Sequence, residues 1–277
     1  MTLSLPIGST IGIIGGGQLG RMLSVAASRL GFRCHIYEPG ANPPAGQVAD
    51  QVTTAAYEDE AALRAFGSSV DVITYEFENI PTAALDLLQD LAPIHPGREA
   101  LRVSQDRLTE KTFLQNLGLK TAPFADITDA ASLDAALSEI GAPSILKTRR
   151  FGYDGKGQAR IMTAEDAPQA LADMQGAPAI LEGFVDFSHE VSVIAARSLD
   201  GAVAAFDPGE NVHSDGILRT TTVPARLTAA QRTDAVLLAA QIANALNYVG
   251  VMGVELFVTS GGLMVNEIAP RVHHSGH

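Results

Sequence analysis

The chain is poor in cysteine and in aromatic residues. Its 277 residues include a single cysteine, Cys34, and only 5% aromatic residues. One cysteine excludes an internal disulfide and is typical of a reducing compartment, so we predict a cytoplasmic location. We interpret Cys34 itself as a small hydrophobic residue that is buried on a strand.

Basic residues and long apolar runs are also scarce. The 19 Lys and Arg residues are outnumbered by 31 Asp and Glu, and the formal net charge of −12 argues against a nucleic-acid or anionic-membrane partner. No basic residue precedes Arg21, and the apolar run there is short and broken by glycine, so we predict no signal peptide. No stretch reaches the length of a membrane span. The chain is long enough for two domains with separate cores.

The first part of the chain alternates between strand and helix patterns. Residues 10–37 predict a strand, a glycine turn, a helix and a second strand. Another strand is predicted over 70–76, between helices at about 58–66 and after Pro81, and a short strand ends at 94–97. This alternation is typical of a parallel sheet covered by helices, so we predict an α/β, Rossmann-like domain over residues 1–103.

After about residue 104, predicted strands follow one another more closely. A helix is predicted over 106–117, and later strands are separated by helices at about 130–140, 164–174 and 228–246. Strands joined by hairpins are typical of antiparallel sheets, so we predict an α+β second domain over residues 104–277.

Near the C-terminal end, two apolar runs flank the tripeptide Ser260 to Gly262. A three-residue hairpin loop there would place Glu255 directly opposite Glu267. Two facing carboxylates repel each other, and a cation between them would remove the repulsion. Carboxylate oxygens beside phosphate favour Mg²⁺, so we predict a metal site. An exposed sheet face with a slipped register is the alternative.

The segment from Lys147 to Gln158 reverses the acidic character of the chain. Three glycines fall within the six residues Gly152 to Gly157, and bare backbone N–H groups in such a loop can enclose phosphates. Positive charge is added by Lys147, Arg149, Arg150 and Lys156. The segment therefore predicts a polyphosphate site.

Other motifs leave alternatives open. The spacing Gly-x-Gly-x-x-Gly over Gly15 to Gly20 fits a small phosphorylated ligand near Gln18, an NAD-linked enzyme with Glu38 on the ribose, or a turn without ligand. Glu76, after a predicted strand, is either a ligand residue or a helix N-terminal acid. The residues Glu182, Glu190 and His213 suit a nucleoside, but each alone is equally typical of an ordinary structural residue.

Together these motifs resemble the ATP-grasp superfamily and, within it, the N5-carboxyaminoimidazole ribonucleotide synthetases. The matching segments, in family order, are Gly15–Met22, Pro44–Asp50, Tyr75–Asn79, Asp106–Arg107, Gly152–Gln158, Asp215–Arg219 and Asn266–Arg271. The glycine loop and the Asn266–Arg271 motif are specific, whereas the N-terminal glycine spacing is not. The resemblance implies a pre-ATP-grasp domain followed by an ATP-grasp domain.

The resemblance also implies residue roles. ATP would contact Arg107, Lys147, Gly152, Tyr153, Asp154, Gly155, Lys156, Gly157, Gln158, Glu182, Gly183, Phe184, Val185, Glu190, His213, Asn266 and Glu267. Mg²⁺, or Mn²⁺ in its place, would bind Glu255 and Glu267, in agreement with the hairpin argument. Aminoimidazole ribonucleotide would contact Gln18, Leu19, Glu76, Asn79, His274 and Ser275, and the catalytic residues would be Asp154, Lys156 and Arg271.

The implied activity is ATP-dependent carboxylation of aminoimidazole ribonucleotide, with bicarbonate as co-substrate and carboxyphosphate as intermediate. The family often has arginine at Lys156 and usually asparagine at His274. Family members also continue beyond the position of His277, so we expect a C-terminally truncated chain of a homodimeric enzyme. The alternatives are a formate-dependent transformylase, a biotin-carboxylase-like enzyme or an inactive nucleotide-binding module.

Overall fold

The computed structural model describes residues 5–152, 156–214 and 216–277. The N-terminal part contains one four-stranded parallel sheet in the order β3-β2-β1-β4. Its strands are β1 (Thr10–Ile14), β2 (Arg33–Tyr37), β3 (Gln51–Thr53) and β4 (Val72–Tyr75). Its helices are α1 (Gln18–Arg29), α2 (Glu60–Gly67), α3 (Thr82–Leu88) and α4 (Arg98–Ser104). Because the strands are parallel, their carboxyl ends meet at one edge, which carries the glycine turn and Glu76.

A second, antiparallel four-stranded sheet follows in the order β5-β8-β6-β7. The helix that precedes it is α5 (Arg107–Asn116), whose N-cap Asp106 accepts a hydrogen bond from the Thr109 N–H at 3.0 Å. The other elements are β5 (Phe124–Ile127), α6 (Ala130–Ile140), β6 (Ser144–Thr148), β7 (Gln158–Ile161), α7 (Ala167–Asp173) and β8 (Ala179–Gly183). The phosphate segment predicted from the sequence therefore connects β6 to β7.

The largest sheet has six strands, with β10 paired to β9 beside the path β12-β11-β9-β13-β14. Its elements are β9 (His189–Arg197), β10 (Val203–Ala205), β11 (Gly209–Ser214), β12 (Ile217–Thr222), α8 (Ala229–Ala245), β13 (Gly250–Thr259) and β14 (Gly262–Ala269). Apolar side chains on one face pack against α8 in a core that includes Val193, Met252 and Ile242. The opposite face is free to carry polar residues.

The predicted fold class is confirmed. A parallel α/β sheet is followed by antiparallel α+β sheets. Helix α4 and the strands β3, β5 and β11 are not predicted from the sequence, because they are short or rich in polar residues. The short strand predicted at 94–97 is wrong, because only a single bridge joins Ile94 to Ile73. The boundary between 103 and 104 falls in the last turn of α4 and stays a prediction.

The predicted hairpin pairs Glu255 with Glu267, but its loop is shorter than expected. Thr259 pairs with Gly262, so the turn contains Ser260 and Gly261 alone. The register then shifts by one residue between Glu255 and Leu256, which leaves Asn266 as the extra residue of a β-bulge. The three-residue loop is therefore wrong, and the bulge produces the predicted carboxylate pair.

Across the part of the chain that the structure describes, no helix has both the length and the apolar character required to cross a bilayer.

Candidate active site

One face of the six-stranded sheet carries a row of acidic and polar side chains. Glu255 pairs with Glu267 on one side and with Ser192 on the other. Since alternate residues share a face, Glu190 lies on the same side as Ser192. Cβ atoms of directly opposed residues are about 4.5–5.5 Å apart. The two hairpin carboxylates can therefore approach one common ligand.

Each hairpin carboxylate also has a basic neighbour. His273 Nε2 lies 3.0 Å from Glu255 Oε1, and both side chains are largely buried. Arg107 Nη1 lies 3.4 Å from Glu267 Oε2. Burial would raise the pKa of Glu267, but the positive charges of Arg107 and Lys147 outweigh it and hold that pKa below its usual value. The repulsion argument is thus weaker than the sequence suggested, because the chain itself supplies compensating groups.

The hairpin fits a hard divalent cation. Glu255 and Glu267 offer charged oxygen ligands from adjacent strands, as Mg²⁺ and Mn²⁺ prefer. A neighbouring set of possible ligands is formed by Glu190, His213 and Glu255, whose ligand atoms lie within 4.8 Å of one another. Glu255 is common to both sets.

The predicted phosphate lysine belongs to a buried charge network. Lys147 Nζ lies 3.0 Å from Glu182 Oε2, and Lys111 Nζ lies 3.5 Å from the same oxygen. The second oxygen of Glu182 is buried and has no hydrogen-bond partner among the described residues. β6 and β8 are neighbours in the sheet, which is why residues so distant in sequence meet here.

Electrostatics in this network favour the charged form of Glu182. Burial alone would raise the pKa of Glu182, but Lys111 and Lys147 more than offset this and lower it to about 2. Burial lowers the pKa of Lys147, and Glu182 opposes that shift. The carboxylate therefore stays ionised at neutral pH and supports a cluster of positive charge that can meet phosphate.

Glu190 and His213 come together on adjacent strands. His213 Nδ1 lies 3.0 Å from Glu190 Oε2, and both side chains are partly exposed. The Glu190 carboxylate at this distance raises the pKa of His213, although burial opposes it. This pair borders Glu255, so the residues predicted for ribose and nucleotide lie beside those predicted for metal.

The N-terminal glycine turn is occupied by two carboxylates. The Gly17 N–H donates to Glu76 Oε1 at 2.7 Å, and the Gly16 N–H donates to Glu38 Oε2 at 2.8 Å. Burial raises the pKa of Glu76, although the backbone N–H groups oppose it. A dinucleotide pyrophosphate would meet two acids at this turn. The geometry thus disfavours the NAD alternative in which Glu38 holds a ribose.

A cleft of about 500 Å³ lies between α1 of the N-terminal part and the β12 and C-terminal residues of the second part. Its walls include Gln18 at the start of α1, His274 and residues of β12. The cleft brings together two residues that the resemblance assigns to the ribonucleotide. Ser275 lies nearby, with its hydroxyl 2.7 Å from that of Ser192. Leu19 is buried, so its side chain supports the turn rather than facing solvent.

The remaining predicted residues are distributed around this region. Arg271 Nε lies 2.9 Å from Glu78 Oε1, and Arg107 Nη2 donates to the Gly152 carbonyl at 3.3 Å. Lys156, Gly157 and Gln158 lead into β7. Phe184 is exposed and Val185 is half-buried just beyond the end of β8, while Asn79 is half-buried after β4. Tyr153, Asp154 and Gly155 lie outside the described residues, so the catalytic assignment of Asp154 stays a prediction.

Two consecutive buried ionisable residues, Glu110 and Lys111, are not predicted from the sequence. Their side chains contact the backbone on both sides of Glu267. Burial, together with the negative charge of Glu267, raises the pKa of Glu110 to about 8. The signal was present in the sequence, since Glu110 and Lys111 fall on the same helical stripe as the apolar Leu114. Charges on a buried stripe are rare unless they are paired.

Two family models match consecutive parts of this chain. The model described as the ATP-grasp domain matches residues 112–277, and the model described as the ribonucleotide synthetase preATP-grasp domain matches residues 8–105. The sheets and the acidic hairpin are thus those of an ATP-grasp protein.

A curated relative shows which ATP-grasp family the chain belongs to. The N5-carboxyaminoimidazole ribonucleotide synthase of Brucella melitensis is 54% identical over 277 residues, which cover 99% of this chain and 76% of that protein. The chain belongs to the family of N5-carboxyaminoimidazole ribonucleotide synthases.

Two solved structures of this family are closely similar in fold. One, described as an ADP complex of N5-carboxyaminoimidazole ribonucleotide synthetase, has a TM-score of 0.96 and 41% identity and covers 100% of this chain and 74% of that chain. Another, from Aspergillus clavatus, was solved with ADP and 5-aminoimidazole ribonucleotide; its TM-score is 0.91 at 31% identity, with 98% of this chain and 72% of that chain covered.

Proposed function

We propose that the protein uses ATP and bicarbonate to carboxylate 5-aminoimidazole ribonucleotide, giving N5-carboxyaminoimidazole ribonucleotide, ADP and phosphate. The observation that carries the proposal is the meeting of three groups on one side of the fold. The carboxylate pair Glu255 and Glu267 would bind the metal, the Lys147–Glu182 pair would meet phosphate, and the cleft at Gln18 would receive the acceptor. The family relationship supports the same assignment.

The reaction would proceed in two steps. A bicarbonate oxygen attacks the γ-phosphorus of ATP, which forms the P–O bond of carboxyphosphate as the bond to ADP breaks. The exocyclic amine of the ribonucleotide then attacks the carboxyl carbon, phosphate leaves, and the amine loses a proton. Phosphoryl transfer depends mainly on positioning and charge neutralisation. Asp154 remains the proposed proton acceptor.

The charged residues of this chain fit the first step. Lys147 and Arg107 lie where they can hold phosphate oxygens, and Arg271 can help to neutralise the bicarbonate or its phosphorylated product. Glu255 and Glu267 would hold Mg²⁺ or Mn²⁺. When bound, this cation neutralises charge on the ATP phosphates. The other residue roles that the family resemblance implies are part of the same proposal, including a place for Lys156 at the carboxylation centre.

The acceptor distinguishes this function from its alternatives. With ¹³C-bicarbonate, we expect ADP formation that depends on aminoimidazole ribonucleotide and a labelled carbamate product. Formate should not replace bicarbonate, and biotin should not replace the ribonucleotide. Formate-dependent turnover would establish a transformylase. Nucleotide binding without any turnover would favour an inactive binding module.

The nucleotide itself provides a second prediction. Because Glu38 and Glu76 already accept the N–H groups of the glycine turn, NAD should bind far more weakly than ADP. Calorimetric titration of the chain with each nucleotide, in the presence of Mg²⁺, measures both affinities. Tight NAD binding with no heat from ADP would restore the dehydrogenase alternative.

The assembly and location form part of the proposal. A homodimer and a cytoplasmic location are what the family resemblance and the single cysteine favour.

A further inference from the structure

Two consecutive ionisable side chains are buried on α5. Glu110 is 3% exposed and Lys111 is 2% exposed. Glu and Lys are almost never buried to this extent unless they have partners. Glu110 and Lys111 lie on α5, and not on the strands β13 and β14 that carry the carboxylate pair. Their burial must therefore be explained by partners of their own.

Their partners are backbone groups on either side of Glu267. The Ile268 N–H donates to Glu110 Oε1 at 2.5 Å. Lys111 Nζ donates to the Asn266 carbonyl at 2.8 Å. Two consecutive helical residues thus bind the backbone immediately before and immediately after the predicted metal ligand.

These contacts fall at the β-bulge. From the turn to Leu256 the strands pair in one register, and the extra residue Asn266 then shifts that register by one. Without the shift, Glu255 would face Asn266. Glu267 would then point to the other face of the sheet, because a one-residue slip reverses every side chain. The bulge is therefore what places Glu267 beside Glu255.

We propose that Glu110 and Lys111 are positioning residues, which hold the bulged backbone of β14 so that Glu267 faces Glu255 and the bound cation. The inference rests on the proposed function, since it takes Glu267 to be a metal ligand. β14 is an edge strand, so its backbone groups that face away from β13 have no strand partner, and α5 supplies partners for the two that flank Glu267.

Lys111 connects this bulge to the phosphate cluster. Its Nζ atom also lies 3.5 Å from Glu182, which pairs with Lys147. α5 thereby fixes the metal carboxylate and the phosphate lysine relative to each other. Such support sets the geometry of ligands without contacting the substrate.

The test measures Mn²⁺ binding to the chain at saturating ADP, by electron paramagnetic resonance of free Mn²⁺. Glu110→Leu removes the acceptor for the Ile268 N–H and should weaken Mn²⁺ binding by about tenfold to a hundredfold. Glu110→Gln keeps an oxygen acceptor and should bind Mn²⁺ within about threefold of the parent chain. Binding of ADP without metal should change little in either variant.

Leu114→Ala is the matched control. Leu114 is fully buried on the same helix, so its truncation destabilises the packing of α5 without touching β14 backbone polar groups. Its Mn²⁺ affinity should equal that of the parent chain. Equal weakening in Leu114→Ala and Glu110→Leu would overturn the proposal, because a general loss of helix packing would then explain both.

Lys111→Met provides a second route if Glu110→Leu does not fold. It removes the donor to the Asn266 carbonyl while keeping a long side chain, and it should also weaken Mn²⁺ binding at least about tenfold. Parent-like affinity in a folded Lys111→Met or Glu110→Leu variant would overturn the positioning role alone.

Failure of the parent chain to bind Mn²⁺ with ADP would overturn the proposed metal site, and the positioning role with it.

Discussion

Replacing Glu267 with glutamine should reduce metal-dependent ATP turnover by more than about a hundredfold, since even the outer partners of metal ligands contribute about tenfold to a hundredfold. The change removes one negative ligand at nearly constant volume. Glu267 lies opposite Glu255 on the acidic face, and its side chain is still 41% exposed, so the neutral variant should fold normally. The loss should therefore appear in the chemistry and in metal affinity rather than in stability.

Phosphate release, measured with aminoimidazole ribonucleotide and bicarbonate over a range of Mg²⁺ concentrations, checks this expectation. Glu210→Gln is the matched control, because Glu210 lies on β11 of the same sheet but on the opposite face, where it pairs with the exposed Arg226. The control should retain turnover. Parent-like turnover in Glu267→Gln, at ordinary Mg²⁺ concentration, would contradict the assignment of Glu267 as a ligand.

The carboxylate pair shows how far the sequence alone could lead. Apolar alternation on both sides of a glycine turn predicts the hairpin, and the position of the turn predicts that Glu255 faces Glu267. The loop length was wrong by one residue and the bulge compensated for it. A bulge has no local sequence signature here, because Asn266 is stabilised by contacts from a helix more than a hundred residues away.

The buried network was harder to predict. Glu182 looked like an ordinary acid at the end of a strand, and only the pairing of β6 with β8 brings Lys147 to it. The positions of Glu110 and Lys111 on the same helical face as Leu114 indicate buried ionisable residues, but the sequence does not indicate which strand α5 packs against. Long-range pairing, and not local propensity, decides these contacts.

The N-terminal domain was predicted more completely. Alternating strands and helices predict a parallel sheet, and the structure has one. The sequence leaves Glu76 as either a ligand residue or a helix N-terminal acid, whereas in the structure it accepts a hydrogen bond from the Gly17 N–H. The sequence did not reveal that Glu38 and Glu76 both bind backbone N–H groups of that turn. Because both acids occupy the turn, this geometry disfavours the NAD-linked dehydrogenase and favours the ATP-dependent ligase.

Glu182→Gln should lower the free energy of unfolding by about 3 kcal/mol at neutral pH, because it removes the charge that compensates two buried lysines. The carboxylate lies 3.0 Å from Lys147 and 3.5 Å from Lys111, and its side chain is only 5% exposed. Nucleotide affinity should fall as well, since Lys147 would lose the partner that orients it.

The pH dependence of this loss follows from the sign of the shift. The pKa of Glu182 is lowered from 4.5 to about 2, because the lysine charges outweigh the effect of burial. A depressed carboxyl pKa contributes stability that is present above the unfolded value and is lost as the pH falls toward the folded value. The difference between the parent chain and Glu182→Gln should therefore be constant above about pH 5 and shrink as the pH falls from about 4.5 toward 2.

Chemical denaturation between pH 3 and pH 8 measures this difference, with Glu210→Gln again as the control. The pKa of Glu210 is also lowered to about 2, mainly by its hydrogen bond with Arg226; Glu210 is 13% exposed, but its partner Arg226 is 76% exposed. Solvent screens such a surface pair, which typically contributes about 0–1 kcal/mol. Two carboxyls with similar pKa values should thus differ severalfold in their effect on stability. Equal losses of unfolding free energy in the two variants would show that the Glu182 network stabilises the fold no more than a surface ion pair does. A loss confined to Glu182→Gln would show that the buried lysines require the charge of Glu182.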